Sequence, residues 1–362
     1  MNITNIFKKI DIEIKSNLNS LVDSKKWNIY HDVFNNQVEK KCSQIIGAKC
    51  LTTNSGSSSL EMCVKVLDLK KGDEVIIPSF TFIATAQAIL NVGAIPVLGP
   101  TDKDTFNLDI NNLQKYVTKK TKAIIFVHLF GNPSGIKEIS IFCKKNNIKL
   151  IEDCAQAFGA KYKTKSVGTY GDCAAFSFNS CKHVSSGDGG LFVTKSSELF
   201  ESAKAMRHAG LIPNKKGIYV SKFIGGKNLL TEFQAAILLP QLKYWNELLL
   251  DRIKNGKAAI NKLSKYNFIK LQKTNLNYVN SYQRIVFLVN NKEQAINLLN
   301  KNSFLERIYP IPLIEEPIIK QLGKFDKNTE KQAIEFWNKH IGFTFMPFTD
   351  YSEFIKKLKI TE

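Results

Sequence analysis

The chain has 362 residues, of which 44% are hydrophobic and 23% charged, with a formal net charge of +19. This is the composition of an ordinary globular protein, long enough for a large core and two domains, and no apolar run approaches the ~20 residues that cross a bilayer. The positive excess is lysine-rich and spread along the chain. It lacks the clustered basic face with interleaved aromatics of a nucleic-acid binder, and it favours small anionic substrates.

Residues 1–35 predict a polar helical arm, amphipathic through Ile10, Ile12, Ile14, Leu18 and Leu21. Lysines and acids alternate there with apolar residues, unlike a secretory signal, so the expected compartment is the cytoplasm. A helix over 38–46 leads to an extended run over 48–53 and then to Asn54-Ser55-Gly56-Ser57-Ser58-Ser59. Directly afterwards Leu60, Cys63, Val64 and Leu67 fall at i, i+3, i+4 and i+7 of a helix. Glycine and serines between a strand and a helix N-terminus can cradle an anion or simply cap the helix.

Strands over 74–78, 93–98, 123–129 and 148–151 are continuous apolar runs, separated by helices over 83–92, 110–116 and 136–146. That pattern predicts a parallel sheet covered on both faces. Asp153 stands just past the last of these strands, at the edge where open α/β sheets bind ligands. It can cap a following helix or hold a cationic ring nitrogen.

A further strand over 174–176 enters Ser177-Phe178-Asn179-Ser180-Cys181-Lys182, and Gly187-Asp188-Gly189-Gly190 leads into a strand over 191–193. Taken alone, Lys182 reads as a surface lysine in a loop. Between two buried strands its charge is costly, and one way to remove it is a Schiff base with a carbonyl cofactor.

Seven cysteines, odd in number and without C-x-x-C spacing, sit in apolar stretches and indicate neither a disulfide framework nor a zinc site. A long helix over 241–263 then connects to a smaller C-terminal part. Strands near 283–289, a helix near 293–299 and a terminal helix over 352–358 are expected there, with Tyr309, Pro310 and Trp337 packing on the rest. The expected division is an arm over 1–35, a large domain over 36–245 and a small domain over 246–362.

The anion turn at Gly56–Ser58, the aromatic Phe82, the acid Asp153 and Lys182 together make the set that pyridoxal 5′-phosphate requires: phosphate anchor, ring stacker, ring-nitrogen partner and covalent lysine. In this order the segments N-S-G-S-S-S-L, G-D-E-V-I-I-P-S-F-T-F, I-E-D-C-A-Q-A-F-G-A, F-S-F-N-S-C-K, G-D-G-G, T-E-F-Q-A-A-I and Y-P-I-P-L resemble the DegT/DnrJ-type sugar aminotransferases. These belong to the fold-type I, aspartate aminotransferase-like enzymes.

The resemblance implies an α/β fold with a mostly parallel central sheet covered by helices, plus a smaller α+β C-terminal domain. It implies that Lys182 carries the cofactor and shuttles a proton, and that Asp153 pairs with the ring nitrogen. Phe82 would stack on the ring, and Gln156 would lie near its phenolic oxygen. Gly56, Ser57, Ser58 and Ser177 would contact the phosphate, joined by an asparagine from the second subunit of a homodimer, for which Asn228 is the candidate.

The implied reaction moves an amino group from glutamate to a keto group of a nucleotide-linked sugar. Two other readings stay open: another reaction of the same cofactor on this fold, such as dehydration or inositol-ketone amination, and a non-catalytic basic binding protein. Three features depart from the family pattern. Lys227-Asn228-Leu229-Leu230 replaces an asparagine–x–arginine–methionine run, Ile314 replaces a histidine, and Gly99-Pro100-Thr101 replaces an acidic stretch. Dehydratase relatives carry histidine in place of the lysine, and here the lysine is present.

Overall fold

A strand with no polar alternation needs apolar cover on both faces, and the predicted apolar runs form such a sheet. The computed structural model describes residues 2–27, 33–290, 309, 311–352 and 355. The large sheet contains β1 (Lys49–Thr53), β2 (Glu74–Pro78), β3 (Ile95–Gly99), β4 (Thr121–Val127) and β5 (Lys149–Asp153). After two short strands, β6 (Lys161–Tyr162) and β7 (Lys165–Ser166), it takes up β8 (Cys173–Ser177) and β9 (Gly190–Thr194). The order is β1-β9-β8-β5-β4-β2-β3.

Alternate residues face opposite cores. Val75 and Ile77 of β2, with Ile125 of β4, pack beneath α3 (Gly56–Val66) and α4 (Ile83–Leu90). Ile76, Ile124 and Phe126 pack instead against Ile139 and Cys143 of α5 (Ile136–Lys145). The predicted helix over 110–116 is a short 3₁₀ helix.

One strand departs from the parallel expectation. β9 runs antiparallel to both its neighbours, β1 and β8, whereas β2, β3, β4, β5 and β8 pair in parallel. Residues 178–189 contain no helix to carry the chain back across the sheet, so the only route into β9 is a return from the same edge. The reversal keeps Lys182 at the edge where β5 ends in Asp153 and β1 runs into Ser55.

The glycine that begins β9 makes this possible. Gly190 pairs with Thr53 on one side and Ser177 on the other. A Cβ placed on it would lie 2.1 Å from the Ser55 carbonyl oxygen. Only a residue without a side chain lets β9 sit against the turn that starts α3.

Helix α1 (Ile3–Ser24) lies on α7 (Glu232–Lys243) and buries Ile6, Ile10 and Leu21. Ile12, expected on the buried stripe, is exposed, because it stands two residues from Ile10 and so on the other side of the helix. Part of the T-E-F-Q segment is structural. Thr231 and Gln234 form the capping box of α7, and buried Glu232 accepts the Phe34 N–H at 2.6 Å and the Asn35 side-chain amide at 2.6 Å, fixing the start of α2 (Asn35–Ile46). Between them, α6 (Ser197–Arg207) and a hairpin of β10 (Leu211–Pro213) and β11 (Tyr219–Ser221) precede α7.

The long helix expected from 241 is two: α7 ends at Lys243 and α8 (Trp245–Leu263) follows directly. The remaining chain builds a second sheet in the order β12-β14-β15 from β12 (Ile269–Leu271), β14 (Arg284–Val289) and β15 (His340–Thr344). Between β12 and β14 it returns to the large sheet's side, where β13 (Tyr278–Val279) pairs with β6. The stretch with α9 (Pro317–Leu322) and α10 (Lys327–Lys339) packs Leu313, Ile314, Ile319 and Ala333 into the same core as Ile77 and Leu98. Lys324 extends this contact through its backbone, donating to the Pro96 carbonyl and accepting from the Leu98 N–H. The helix expected near 293–299, and most of the one expected over 352–358, lie outside the described residues.

Gly190→Ala tests the junction. The added methyl meets backbone, which cannot rotate away, so a loss of about 1–3 kcal/mol or more is expected in urea unfolding. Weaker uptake of pyridoxal 5′-phosphate in an absorbance titration should accompany it.

Candidate active site

The strand ends at this edge enclose a cavity of about 400 Å³. Gly56, Ser57, Phe82, Asp153, Gln156, Ser177 and Lys182, all selected from the sequence, line it. Ser58 and Asn228 do not.

At the N-terminus of α3, Ser55 and Ser58 form a capping box: the Ser55 hydroxyl accepts the Ser58 N–H at 3.1 Å, and the Ser58 hydroxyl accepts the Ser55 N–H at 3.2 Å. The Ser58 hydroxyl also donates to Asn54 at 2.6 Å, so it is fully committed to the turn. The N–H groups of Gly56 and Ser57, at the first two helical positions, are left for a ligand, and the helix dipole adds positive potential. Ser177 closes this end. A Cβ on Gly56 would lie 2.8 Å from the Ser177 Cβ, so the glycine is what lets the hydroxyl and the helix start share one cradle.

The last two residues of β5 point to opposite faces of the sheet. Glu152 turns away from the cavity and is fully buried. It accepts His128 Nε2 at 3.0 Å and the N–H groups of Gly168, Tyr170 and Gly171 at 2.8, 2.7 and 2.9 Å. Burial alone would raise this carboxyl, but the bond and charge of His128 with the glycine N–H groups hold it below the usual range. Cys154 lies near this pair, with its ligand atom within 4.8 Å of theirs. Both Glu152 oxygens are already occupied by protein donors, so the group is a hydrogen-bonded clamp.

Asp153 faces the cavity. Its oxygens accept the Ala155 N–H at 3.1 Å and the Thr85 hydroxyl at 2.9 Å. The bond to Ala155 closes an Asx turn, since no helix starts there. Burial raises its pKa against the pull of Ala155, Thr85 and Lys182. A buried carboxylate with this bias is stabilised by a cationic partner.

Phe82 occupies the N-cap of α4 with 54% of its surface exposed, its ring open to the cavity. Gln156 is fixed at both ends: its carbonyl accepts the Phe130 N–H at 3.0 Å and its amide donates to the Tyr309 hydroxyl at 3.0 Å. The Tyr309 hydroxyl keeps its proton, its pKa pushed up to about 12 by burial, and can donate into the cavity.

Lys182 is half-buried, and its ammonium makes no hydrogen bond or ion pair among the described residues. Burial draws it below the usual lysine range. Arg284 acts in the same direction, while Cys181 and Asp153 oppose. A lysine so placed reaches its neutral, nucleophilic form more readily than one at the surface.

Asn228 stands behind the phosphate-type turn of its own chain, its carbonyl accepting the Asn54 N–H at 3.0 Å. Thr85, Asn179, Tyr309 and Arg284 line the cavity without having been selected from the sequence as site residues. Tyr309 reads as packing because it does pack, its ring 5.1 Å from Phe80. For Arg284 a signal existed: it is one of four arginines among 51 basic residues, at the start of an apolar strand.

The donor set fits pyridoxal 5′-phosphate end to end. A helix start with a glycine cradle suits the phosphate, a buried carboxylate suits a protonated ring nitrogen, an open aromatic face suits the ring, and an unpaired amine suits the aldehyde.

The Glu152 clamp carries a pH signature. Because its folded-state pKa is depressed, its contribution is complete above the unfolded carboxylate value of about 4.3 and is lost as pH falls through the folded value. Glu152→Gln should flatten the acid limb of urea stability measured against pH. At pH 7 it should cost about 2–4 kcal/mol, because an amide nitrogen then faces N–H donors.

Residues 8–349 match the DegT/DnrJ/EryC1/StrS aminotransferase family. The GDP-perosamine synthase of Escherichia coli O157:H7 is 32% identical over 285 residues, 75% of this chain and 77% of that enzyme. The dTDP-3-amino-3,6-dideoxy-alpha-D-galactopyranose transaminase of Aneurinibacillus thermoaerophilus is 38% identical over 237 residues, 65% of this chain and 64% of that one. In fold the chain is similar to a DegT DnrJ EryC1 StrS aminotransferase from Brucella abortus, with a TM-score of 0.86, 22% identity, and 96% and 95% of the two chains covered. With a family match spanning nearly its whole length, the chain belongs to the DegT/DnrJ/EryC1/StrS aminotransferases.

Proposed function

We propose that this protein is a pyridoxal 5′-phosphate-dependent aminotransferase that moves an amino group from glutamate to the keto group of a nucleotide-linked 4-keto-6-deoxy hexose. The observation that carries the reading is the convergence of Lys182, Asp153 and the Gly56–Ser57–Ser177 cradle on one cavity. Relatives named for GDP-linked and dTDP-linked amino sugars support the substrate class.

When bound, the cofactor supplies an electron sink for the carbon that exchanges its amino group. The chain's residues do the rest. The first turn of α3 and Ser177 hold the phosphate, and Phe82 covers the ring. Asp153, kept ionised by a cationic partner, holds a proton on the ring nitrogen. Tyr309, fixed by Gln156, would donate to an oxygen of the bound cofactor. Lys182 Nζ would take the proton from the carbon that gives up the amine and deliver it to the carbon that receives it, a general acid–base role worth roughly 10²–10⁴-fold.

The nucleotide extends out of a cavity too small to hold it together with the cofactor. Its charges meet the diffuse positive field of the chain. A homodimer with shared sites, cytoplasmic placement and a role in surface-glycan amino-sugar supply complete the proposal. So do an arm over 1–35, a large domain over 36–245 and a small domain over 246–362.

Cofactor-loaded protein should show a visible absorbance band that moves to the near ultraviolet with glutamate, followed by an aminated sugar nucleotide when the keto sugar is added. Lys182→Ala should lose at least roughly 10²-fold in turnover. An unchanged spectrum with glutamate refutes the aminotransferase reading, and a deoxygenated product without amination favours a dehydratase.

A further inference from the structure

The segment leading into β14 touches both neighbours of Lys182. Gln283 is fully buried, and its side-chain amide donates to the Cys181 carbonyl at 3.0 Å. Ser281 is equally buried, with its hydroxyl 2.9 Å from Nε2 of His183. Backbone bonds fasten the segment on two sides. The N–H groups of Ser281 and Gln283 donate to the carbonyls of Gly131 and Phe130, and the Phe345 N–H donates to the Gln283 carbonyl. The approach is close enough that a Cβ on Gly131 would lie 2.8 Å from the Ser281 hydroxyl.

The next residue, Arg284, pairs with Thr344 at the start of β14 and lines the cavity that holds Lys182 and Asp153. Its guanidinium makes no hydrogen bond or ion pair among the described residues, and its Nε is buried without a partner. A permanently charged fork that lines a cavity and carries no protein acceptor among the described residues is suited to a planar anion.

The chemistry of the reactants narrows which anion. The cofactor phosphate belongs at the cradle of Gly56, Ser57 and Ser177. The sugar is uncharged around its keto carbon, and the ring separates that carbon from the diphosphate. An amino acid donor carries a carboxylate on the same carbon as its amine, so a carboxylate held by Arg284 brings the amine to Lys182.

We propose that residues 281–284 form one gauge for the amino donor: Arg284 takes the donor's α-carboxylate, while Ser281 and Gln283 hold His183 and Cys181 so that Lys182 stays in register with it. Arg284 is then a specificity-determining residue, and Gln283 is a positioning residue. The inference rests on the aminotransferase reading of this site.

The test uses full-length cofactor-loaded protein. Arg284→Gln should raise the KM for glutamate and weaken calorimetric binding of 2-oxoglutarate by roughly 10–100-fold, with partial recovery in Arg284→Lys. The wild-type preference for glutamate over 4-aminobutyrate, which lacks a carboxylate on the amine carbon, should shrink by a similar factor. Gln283→Met should lower kcat for the glutamate half-reaction and leave KM unchanged. A normal cofactor band in each variant reports an intact site.

Wild-type affinity for 2-oxoglutarate in Arg284→Gln, or an undiminished glutamate preference, overturns the assignment of Arg284. No kcat change in Gln283→Met, or kcat and KM changing together, overturns the gauge. If the wild-type protein itself ignores glutamate, the aminotransferase reading fails, and 2-oxoglutarate binding alone then decides the role of Arg284.

Discussion

Two consecutive buried carboxylates at the end of β5 set the terms for the rest of the site. A carboxylate removed from water has to recover its hydration from donors or a counter-charge. Strand alternation sends Glu152 and Asp153 to opposite faces, so the two requirements are met separately. Glu152 recovers its hydration from His128 and three backbone N–H groups. In doing so it ties β4 and the loop over 167–171 to β5. Among the described residues Asp153 receives two protein donors, Ala155 and Thr85, and is left with an appetite for positive charge at the mouth of the sheet. One acid stiffens the platform, and its neighbour offers the chemistry.

That platform works only if the lysine and the anion cradle arrive at the same edge. The reversal of β9 does this with Gly190, whose missing side chain lets three strands and the start of α3 meet within van der Waals distance. The same economy recurs at Gly56 against Ser177 and at Gly131 against Ser281. Gly190 meets the Ser55 carbonyl, Gly56 meets the cavity-lining Ser177, and Gly131 meets Ser281, which holds the His183 ring next to Lys182. Gly56 starts a helix, Gly190 starts a strand and Gly131 ends a 3₁₀ turn, so regular backbone holds all three contacts, which suits a site that must hold a flat cofactor and exchange two unlike substrates over it.

Much of this was legible in one dimension. Apolar runs of three to seven residues between helical periods indicated a covered parallel sheet, and the placement of Gly56, Phe82, Asp153 and Lys182 beyond the ends of such runs indicated one ligand edge. The serine run was harder to divide. Ser57 and Ser58 are alike as letters, but helix geometry makes one a lining residue and the other half of a capping box. The rarity of arginine marked Arg284 as a residue, but its place in the cavity and the contact of Gln283 with Cys181 were not legible, because they bring together residues about 100 positions apart and no local pattern records which strand end will lie against which loop.

The order of the chain therefore determined what depends on periodicity and local chemistry: the strand and helix types, the turn that can bind phosphate, the acid at a strand terminus and the lysine in a buried turn. Tertiary structure alone decided the direction of β9, the division of labour between Glu152 and Asp153, and the meeting of residues 281–284 with Lys182. The physical reason is that local patterns follow from interactions within a few residues, whereas these three outcomes follow from which distant surfaces can close without burying an unsatisfied charge or colliding with backbone.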